Sequence, residues 1–174
     1  MNAARPSRLA RVVAQFQSPA DVLLAARVMV WACVLPILKR VMPIRSLVRL
    51  AWRPPGLERD PTRDARVVTF ARWACRVIRP GSGGNCLERG LIAYRFLLEG
   101  RAEPTLVIGM RRHDANGVIG HAWVLLHGTP AGESPVLVKE YVPMFAFAPD
   151  GSLIRSLERL GDEPELSATR QSLP

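Results

Sequence analysis

The hydrophobic pattern of the chain changes its period near Gly100, and this change constrains the fold more than any other feature. Before Gly100 the apolar residues recur at the spacing of a helix face. One such set is Val67, Phe70, Ala71, Ala74, Cys75 and Ile78. After Gly100 the apolar runs at 105–110 and 119–126 read as strands separated by a turn-rich segment. The sequence therefore predicts an α+β fold, with helices first and an antiparallel meander after them.

Capping and helix-breaking residues predict where the helices begin and end. Ser18 can cap a helix that starts at Pro19, and Asp21 suits its positive end. This helix should end near Leu35, because Pro36 follows. Asp60 can likewise cap a later helix, because a proline follows it directly. The predicted helices cover residues 18–35, 44–52, 60–79 and 86–100.

The second half of the chain should supply three strands. They are expected at 105–110, 119–126 and 136–142, with 128–135 as a long turn between the last two. Residues 145–153 read as a further strand or turn, and 153–160 as a short helix. A chain of 174 residues fits one domain. We expect an N-terminal helical segment at 1–59 packed on a core at 60–160, and a polar tail at 161–174.

Charge is unevenly distributed along the chain. Residues 1–80 carry 15 Lys and Arg against 4 Asp and Glu, a net charge of +11, whereas residues 81–174 carry 9 against 11, a net charge of −2. The basic half could face an anionic partner, or it could be an ordinary solvated surface. No aromatic-interleaved basic motif and no finger spacing is present, so we expect no nucleic-acid partner.

Cysteine usage and the N-terminus bear on the compartment. Three widely spaced cysteines argue against a disulfide framework and favour a reducing, cytoplasmic setting. We expect Cys33 and Cys75 to be small core residues. No signal peptide is recognised. Residues 20–38 approach the length that spans a bilayer, but Arg27 lies inside this segment, so we expect a buried helix or one in peripheral contact with a membrane.

A glycine-rich loop, GSGGN (81–85), leads directly into Cys86 at the start of a predicted helix. The aligned N–H dipoles of a helix N-terminus stabilise a thiolate and lower the pKa of a cysteine. Backbone amides of the loop near Gly84 and Asn85 could hold an oxyanion. Cys86 is therefore the candidate nucleophile.

The candidate general base is His121, in the middle of the second strand. Strand alternation places His121 and Trp123 on one face of the sheet, where Trp123 could exclude water from the site. An acidic residue should orient the imidazole. If the second and third strands form a hairpin, Glu140 falls nearly opposite His121. Asp114 and Glu133, both in turns, are weaker candidates for this role.

Three segments together resemble a known family. NCLER (85–89), LVIG (106–109) and HAWV (121–124) are similar to the transglutaminase-like B proteins of lasso-peptide biosynthesis. The resemblance covers residues 15–142 and includes an apolar N-terminal helix. It implies a papain-like or transglutaminase-like core, with Cys86 as nucleophile and His121 as base. The third member in the family is usually Asp on the next strand, and Glu140 is taken as the matching position here.

The resemblance implies a cysteine peptidase that removes the leader from a ribosomal precursor peptide, so that a partner cyclase can close an isopeptide ring. Some members carry an N-terminal leader-recognition domain with three strands. Residues 1–60 contain no predicted strand, so the chain resembles the split form, which relies on a separate leader-recognition protein. No metal or redox cofactor is expected. The alternatives are a transglutaminase-like acyltransferase with the same triad, and a non-catalytic membrane-surface or peptide-binding module.

Overall fold

The computed structural model describes residues 16–56, 59–80, 85–113 and 117–154. Its helices are α1 (Pro19–Val41), α2 (Ile44–Ala51), α3 (Pro61–Ile78), α4 (Cys86–Glu99) and α5 (Pro135–Val138). Its strands are β1 (Thr105–His113), β2 (Gly117–Leu126), β3 (Thr129–Pro130), β4 (Val142–Phe147) and β5 (Leu153–Ile154). The predicted α+β fold is confirmed.

Helix α1 begins as predicted but ends later. Ser18 and Asp21 form a capping box, in which each side chain accepts a hydrogen bond from the backbone of the other residue. The expected end before Pro36 is wrong, since Pro36 lies inside the helix. A proline costs one backbone hydrogen bond there, but the turn around it remains packed because Leu35 is fully buried. The helix ends where Met42 adopts an extended conformation before Pro43.

Among the described residues α1 is the one helix long and apolar enough to cross a membrane. Core helices of soluble proteins share this property. Of the apolar 18-residue stretch of α1, 33% is buried inside the protein. An ion pair holds it to α3, since Asp21 Oδ1 lies 2.5 Å from Arg66 Nη1. Its outer face exposes apolar side chains and includes Cys33, so the expectation that Cys33 is a core residue is wrong.

The five strands form one antiparallel sheet in the order β3-β2-β1-β4-β5. The predicted third strand at 136–142 is wrong, because this segment forms α5 and a turn. The next long strand, β4, starts at Val142 and pairs with β1, not with β2. The helix expected at 153–160 begins instead with β5, and its remaining residues lie outside the described part of the chain.

Helix α4 lies at the centre of the core, against α1, α2, α3 and β2. Gly90 permits its close approach to the sheet, since a Cβ there would lie 3.0 Å from Leu106 Cδ1 and 3.8 Å from the Ala122 Cβ. The main apolar core contains residues from both sides of the boundary predicted at 59/60. The division into an N-terminal segment and a catalytic core remains a prediction, and the tail at 161–174 lies outside the described residues.

Candidate active site

The loop before α4 delivers Cys86 to the first position of the helix. Asn85 precedes it, but the Asn85 side chain does not cap α4. Its Nδ2 instead donates to the Cys75 carbonyl oxygen at 3.1 Å and so fixes the end of the loop to α3. The first backbone N–H groups of a helix have no partner within the helix. Gly84, predicted to share oxyanion binding, lies outside the described residues.

Strand β2 meets the start of α4 along an open edge. β3 pairs only with Leu125 and Leu126 of β2, so the earlier part of β2 has no neighbouring strand on that side among the residues that the structure describes. The Cys86 thiol lies there beside the side chain of His121 and the backbone of Ala122, and both stabilise its thiolate form. The structure thus brings together the predicted nucleophile and the predicted base.

The environment of Cys86 and His121 favours their charged forms. Burial by itself raises the pKa of the Cys86 thiol, but hydrogen bonds with His121 and Ala122 and the charges of His121 and Arg89 outweigh burial and lower this pKa below its usual value. The pKa of His121 is raised to about 9, first by its hydrogen bond with Cys86 and then by that with Glu133. Both shifts favour a thiolate–imidazolium pair over the neutral pair.

Glu133 is the acidic residue beside the imidazole. Its Oε2 lies 2.6 Å from His121 Nε2, and its Oε1 accepts a hydrogen bond from Arg89 Nη2 at 2.5 Å. Because Nε2 is engaged with this carboxylate, Nδ1 is the ring nitrogen left for the Cys86 sulfur. Burial raises the pKa of Glu133, but the hydrogen bond with His121 and the charge of Arg89 prevail, so its pKa is lowered and it is a carboxylate.

The predicted position of Glu140 opposite His121 is wrong. The strand partner of His121 is Gly109 of β1, and the Glu140 carboxylate pairs with Arg111. The error follows from the absence of a strand at 136–142. The Glu140 side chain is 46% exposed, whereas that of Glu133 is 12% exposed.

A tight turn, which the sequence contains, accounts for the position of Glu133. His127 and Gly128 have positive φ angles of 48° and 74° and reverse the chain directly after β2. Pro130 then pairs with Leu125, and the Ala131 N–H donates to the Val124 carbonyl at 2.8 Å. The chain then continues back alongside β2, where Glu133 Oε2 reaches His121 Nε2. The His-Gly pair followed by a short return strand is the sequence signal that distinguishes this tight turn from the long turn predicted at 128–135.

Aromatic rings surround the imidazole on the sheet face. The ring centroids of His121 and Tyr141 lie 4.8 Å apart, and those of His121 and Trp123 lie 5.9 Å apart with an interplanar angle of 20°. Trp123 is buried with Val107, Val138 and Ala146 in a small apolar cluster. It therefore packs behind His121 as part of β2.

The described residues contain no cluster of three or more His, Cys, Asp or Glu side chains that could hold a metal ion. Asp114, the other weaker acidic candidate, lies outside them.

Arg89 was not recognised as part of the site from the sequence. It lies one helical turn after Cys86 and joins a continuous contact path, Arg89–Glu133–His121–Cys86, that connects α4 to β2.

A cysteine at a helix start, joined to a histidine on an adjacent strand and through it to a carboxylate, defines a cysteine-based nucleophilic site on an α+β fold. The family model described as the transglutaminase-like superfamily matches residues 22–146. The chain therefore belongs to the transglutaminase-like superfamily, whose members are generally cysteine-protease-like enzymes. No curated protein and no solved structure gives a significant match.

Proposed function

We propose that this protein is a cysteine peptidase that removes the leader from a ribosomally made lasso-peptide precursor before ring closure by a partner cyclase. The observation that carries the proposal is the contact of Cys86 with His121 and of His121 with Glu133. The resemblance of NCLER (85–89), LVIG (106–109) and HAWV (121–124) to the B proteins supports the substrate class.

In the proposed reaction the Cys86 thiolate attacks the carbonyl carbon at the leader–core junction. The backbone N–H of Cys86, in the first turn of α4, donates to the developing oxyanion. The His121 imidazolium gives its proton to the leaving amine, which becomes the N-terminus of the core peptide. Neutral His121 then deprotonates water, which hydrolyses the thioester and releases the leader.

Glu133 has a supporting role in this mechanism. Its carboxylate holds Nε2 of the ring and stabilises the imidazolium, so that Nδ1 faces the sulfur. The carboxylate keeps its own position because its other oxygen is bound to Arg89. Trp123 and Tyr141 pack against the ring and limit its rotation.

The test is cleavage of a precursor peptide in the presence of its leader-recognition protein, with products identified by mass spectrometry. We expect wild type to release the intact leader and a core with a free N-terminus, and Cys86→Ala and His121→Ala to release neither. Intact precursor with wild type would refute the proposal. A leader joined to an added amine would instead identify acyl transfer, and full cleavage by Cys86→Ala would indicate a non-catalytic module.

We also propose that the basic N-terminal half docks a partner, either the leader-recognition protein, the leader or the cyclase. Arg45 and Arg49 are exposed on α2 and are suited to an acidic surface. Reversing both charges should slow leader processing, whereas reversal of Arg112 and Lys139, exposed on the sheet side, should not. Unchanged processing by the Arg45 and Arg49 variant would remove this assignment.

A further inference from the structure

A cavity of about 330 Å³ lies beside the imidazole, bordered by α3, α4, β1 and the segment after β3. Its charged lining residues are Arg72, Arg76, Arg89, Arg111, His121, Glu133 and Glu140. Four guanidinium groups thus surround a space that His121 and Glu133 also border. A group bound in this cavity lies next to the imidazole of His121 and its carboxylate partner Glu133.

Two of these guanidinium groups are neutralised within the protein. Arg89 pairs with Glu133, and Arg111 pairs with Glu140. Arg72 and Arg76 differ, because neither has an ion-pair or hydrogen-bond partner among the residues that the structure describes. They lie four residues apart on α3, so that both side chains project from the same face of the helix.

The two arginines in the earlier part of α3 both lie beside acidic residues. Arg63 lies 3.8 Å from a Glu99 carboxylate oxygen, and Arg66 lies 2.5 Å from Asp21. Within the described part of the chain, Arg72 and Arg76 therefore add two positive charges that have no acidic partner to a cavity that borders the imidazole. Such an arrangement attracts a carboxylate from solution.

We propose that the cavity binds a carboxylate of the peptide substrate, supplied by an acidic side chain close to the bond that is cleaved. The proposal rests on the proposed function in that it takes Cys86 as the nucleophile. An extended peptide advances about 3.5 Å per residue, so an acidic side chain a few residues from the scissile carbonyl can reach Arg72 and Arg76. These two residues then select the substrate by charge.

The test compares two alkylating reagents that differ in one charge: the iodoacetylated α-amides of glutamate and of glutamine. In both, the thiolate sulfur bonds to the methylene carbon and iodide leaves, so the ratio of their rates isolates the distant carboxylate. Modification of Cys86 is followed by mass spectrometry in the full-length protein at low salt. Exposed Cys33 in the same sample reports the general attraction of the basic protein for anions.

We expect Cys86 to prefer the glutamate reagent by about three- to tenfold over the ratio at Cys33. The preference should disappear in Arg72→Gln/Arg76→Gln and decline with added salt. It should persist in Arg112→Gln/Lys139→Gln, which removes the same charge from exposed positions outside the cavity.

No preference in wild type, or a preference that survives in Arg72→Gln/Arg76→Gln, would overturn the proposal. Equal loss in both double variants would overturn it as well, since the effect would then be one of net charge. Because these reagents also alkylate an ordinary accessible thiol, given time, the ratio can be measured even if Cys86 reacts no faster than Cys33. Equal reaction rates at Cys86 and Cys33 would contradict the proposed function. The preference of Cys86 for the glutamate reagent could still be determined.

Discussion

The carboxylate of Glu133 binds two cations at once, His121 Nε2 at 2.6 Å and Arg89 Nη2 at 2.5 Å. His121 belongs to β2, and Arg89 belongs to the same helix as Cys86. One acidic side chain therefore ties the strand that carries the base to the helix that carries the nucleophile. It holds the position of the imidazole and, together with Cys86, favours its charged form.

The first prediction separates the two acidic residues. Glu133→Gln should slow precursor cleavage by on the order of 10²-fold or more, because a neutral amide no longer stabilises the imidazolium. At saturating precursor, where a change in substrate binding does not affect the rate, Glu140→Gln should change it less than about twofold, since the exposed ion pair of Glu140 with Arg111 contributes little. Single-turnover cleavage rates measure both effects. Equal losses in the two variants, or a greater loss in Glu140→Gln, would contradict the assignment.

The second prediction concerns Arg89. Arg89→Gln leaves Oε1 of the largely buried Glu133 without its cation, so we expect cleavage to slow by about tenfold and unfolding to become easier by about 1 kcal/mol. The pKa of Cys86 should rise, because the positive charge of Arg89 helps to lower it. Arg89→Lys keeps this charge and should restore part of the rate. A rate in Arg89→Gln equal to that of wild type would exclude a positioning role.

The third prediction uses two glycines on facing strands. A Cβ on Gly109 would lie 2.7 Å from the Val142 carbonyl oxygen and 2.8 Å from Trp123 Cη2, whereas a Cβ on Gly120 would meet nothing closer than 4.0 Å. Gly109→Ala must displace the indole that packs against His121, and we expect a loss of about 1–3 kcal/mol in the free energy of unfolding. Gly120→Ala should stay within about 0.5 kcal/mol of wild type. Chemical denaturation followed by tryptophan fluorescence compares them, and equal stability of the two variants would be the contrary result.

The starts of the helices were predictable because they depend on local chemistry. Ser18 and Asp60 cap α1 and α3, and a proline follows each cap. The end of α1 was not predictable, because Pro36 indicates a helix end when only the neighbouring residues are considered. Burial of Leu35 against the rest of the core keeps the helix intact through the proline, and this packing cannot be read from neighbouring residues.

The site was predictable where it depends on one element at a time. Cys86 at a helix start and His121 in the middle of a strand both follow from local patterns. The acidic partner depends on how the chain reverses after β2, and the tight turn at His127 and Gly128 decides between Glu133 and Glu140. The apolar run before Glu140 resembled a strand, but its side chains belong to a short helix and a turn.

The most direct test of the account is the pH dependence of Cys86 alkylation by iodoacetamide. An ordinary cysteine has a pKa of about 8.5, and we predict a lower midpoint for Cys86 in wild type, because His121, Ala122 and Arg89 stabilise the thiolate. In His121→Gln the thiolate loses its stabilisation by His121, whereas burial still raises the pKa of the thiol. The midpoint should therefore move upward. Peptide cleavage by wild type should decline as the pH rises through about 9, where His121 loses the proton that the leaving amine requires. A wild-type midpoint at or above that of free cysteine, unchanged in His121→Gln, would contradict the central claim that Cys86 is held as a thiolate by His121.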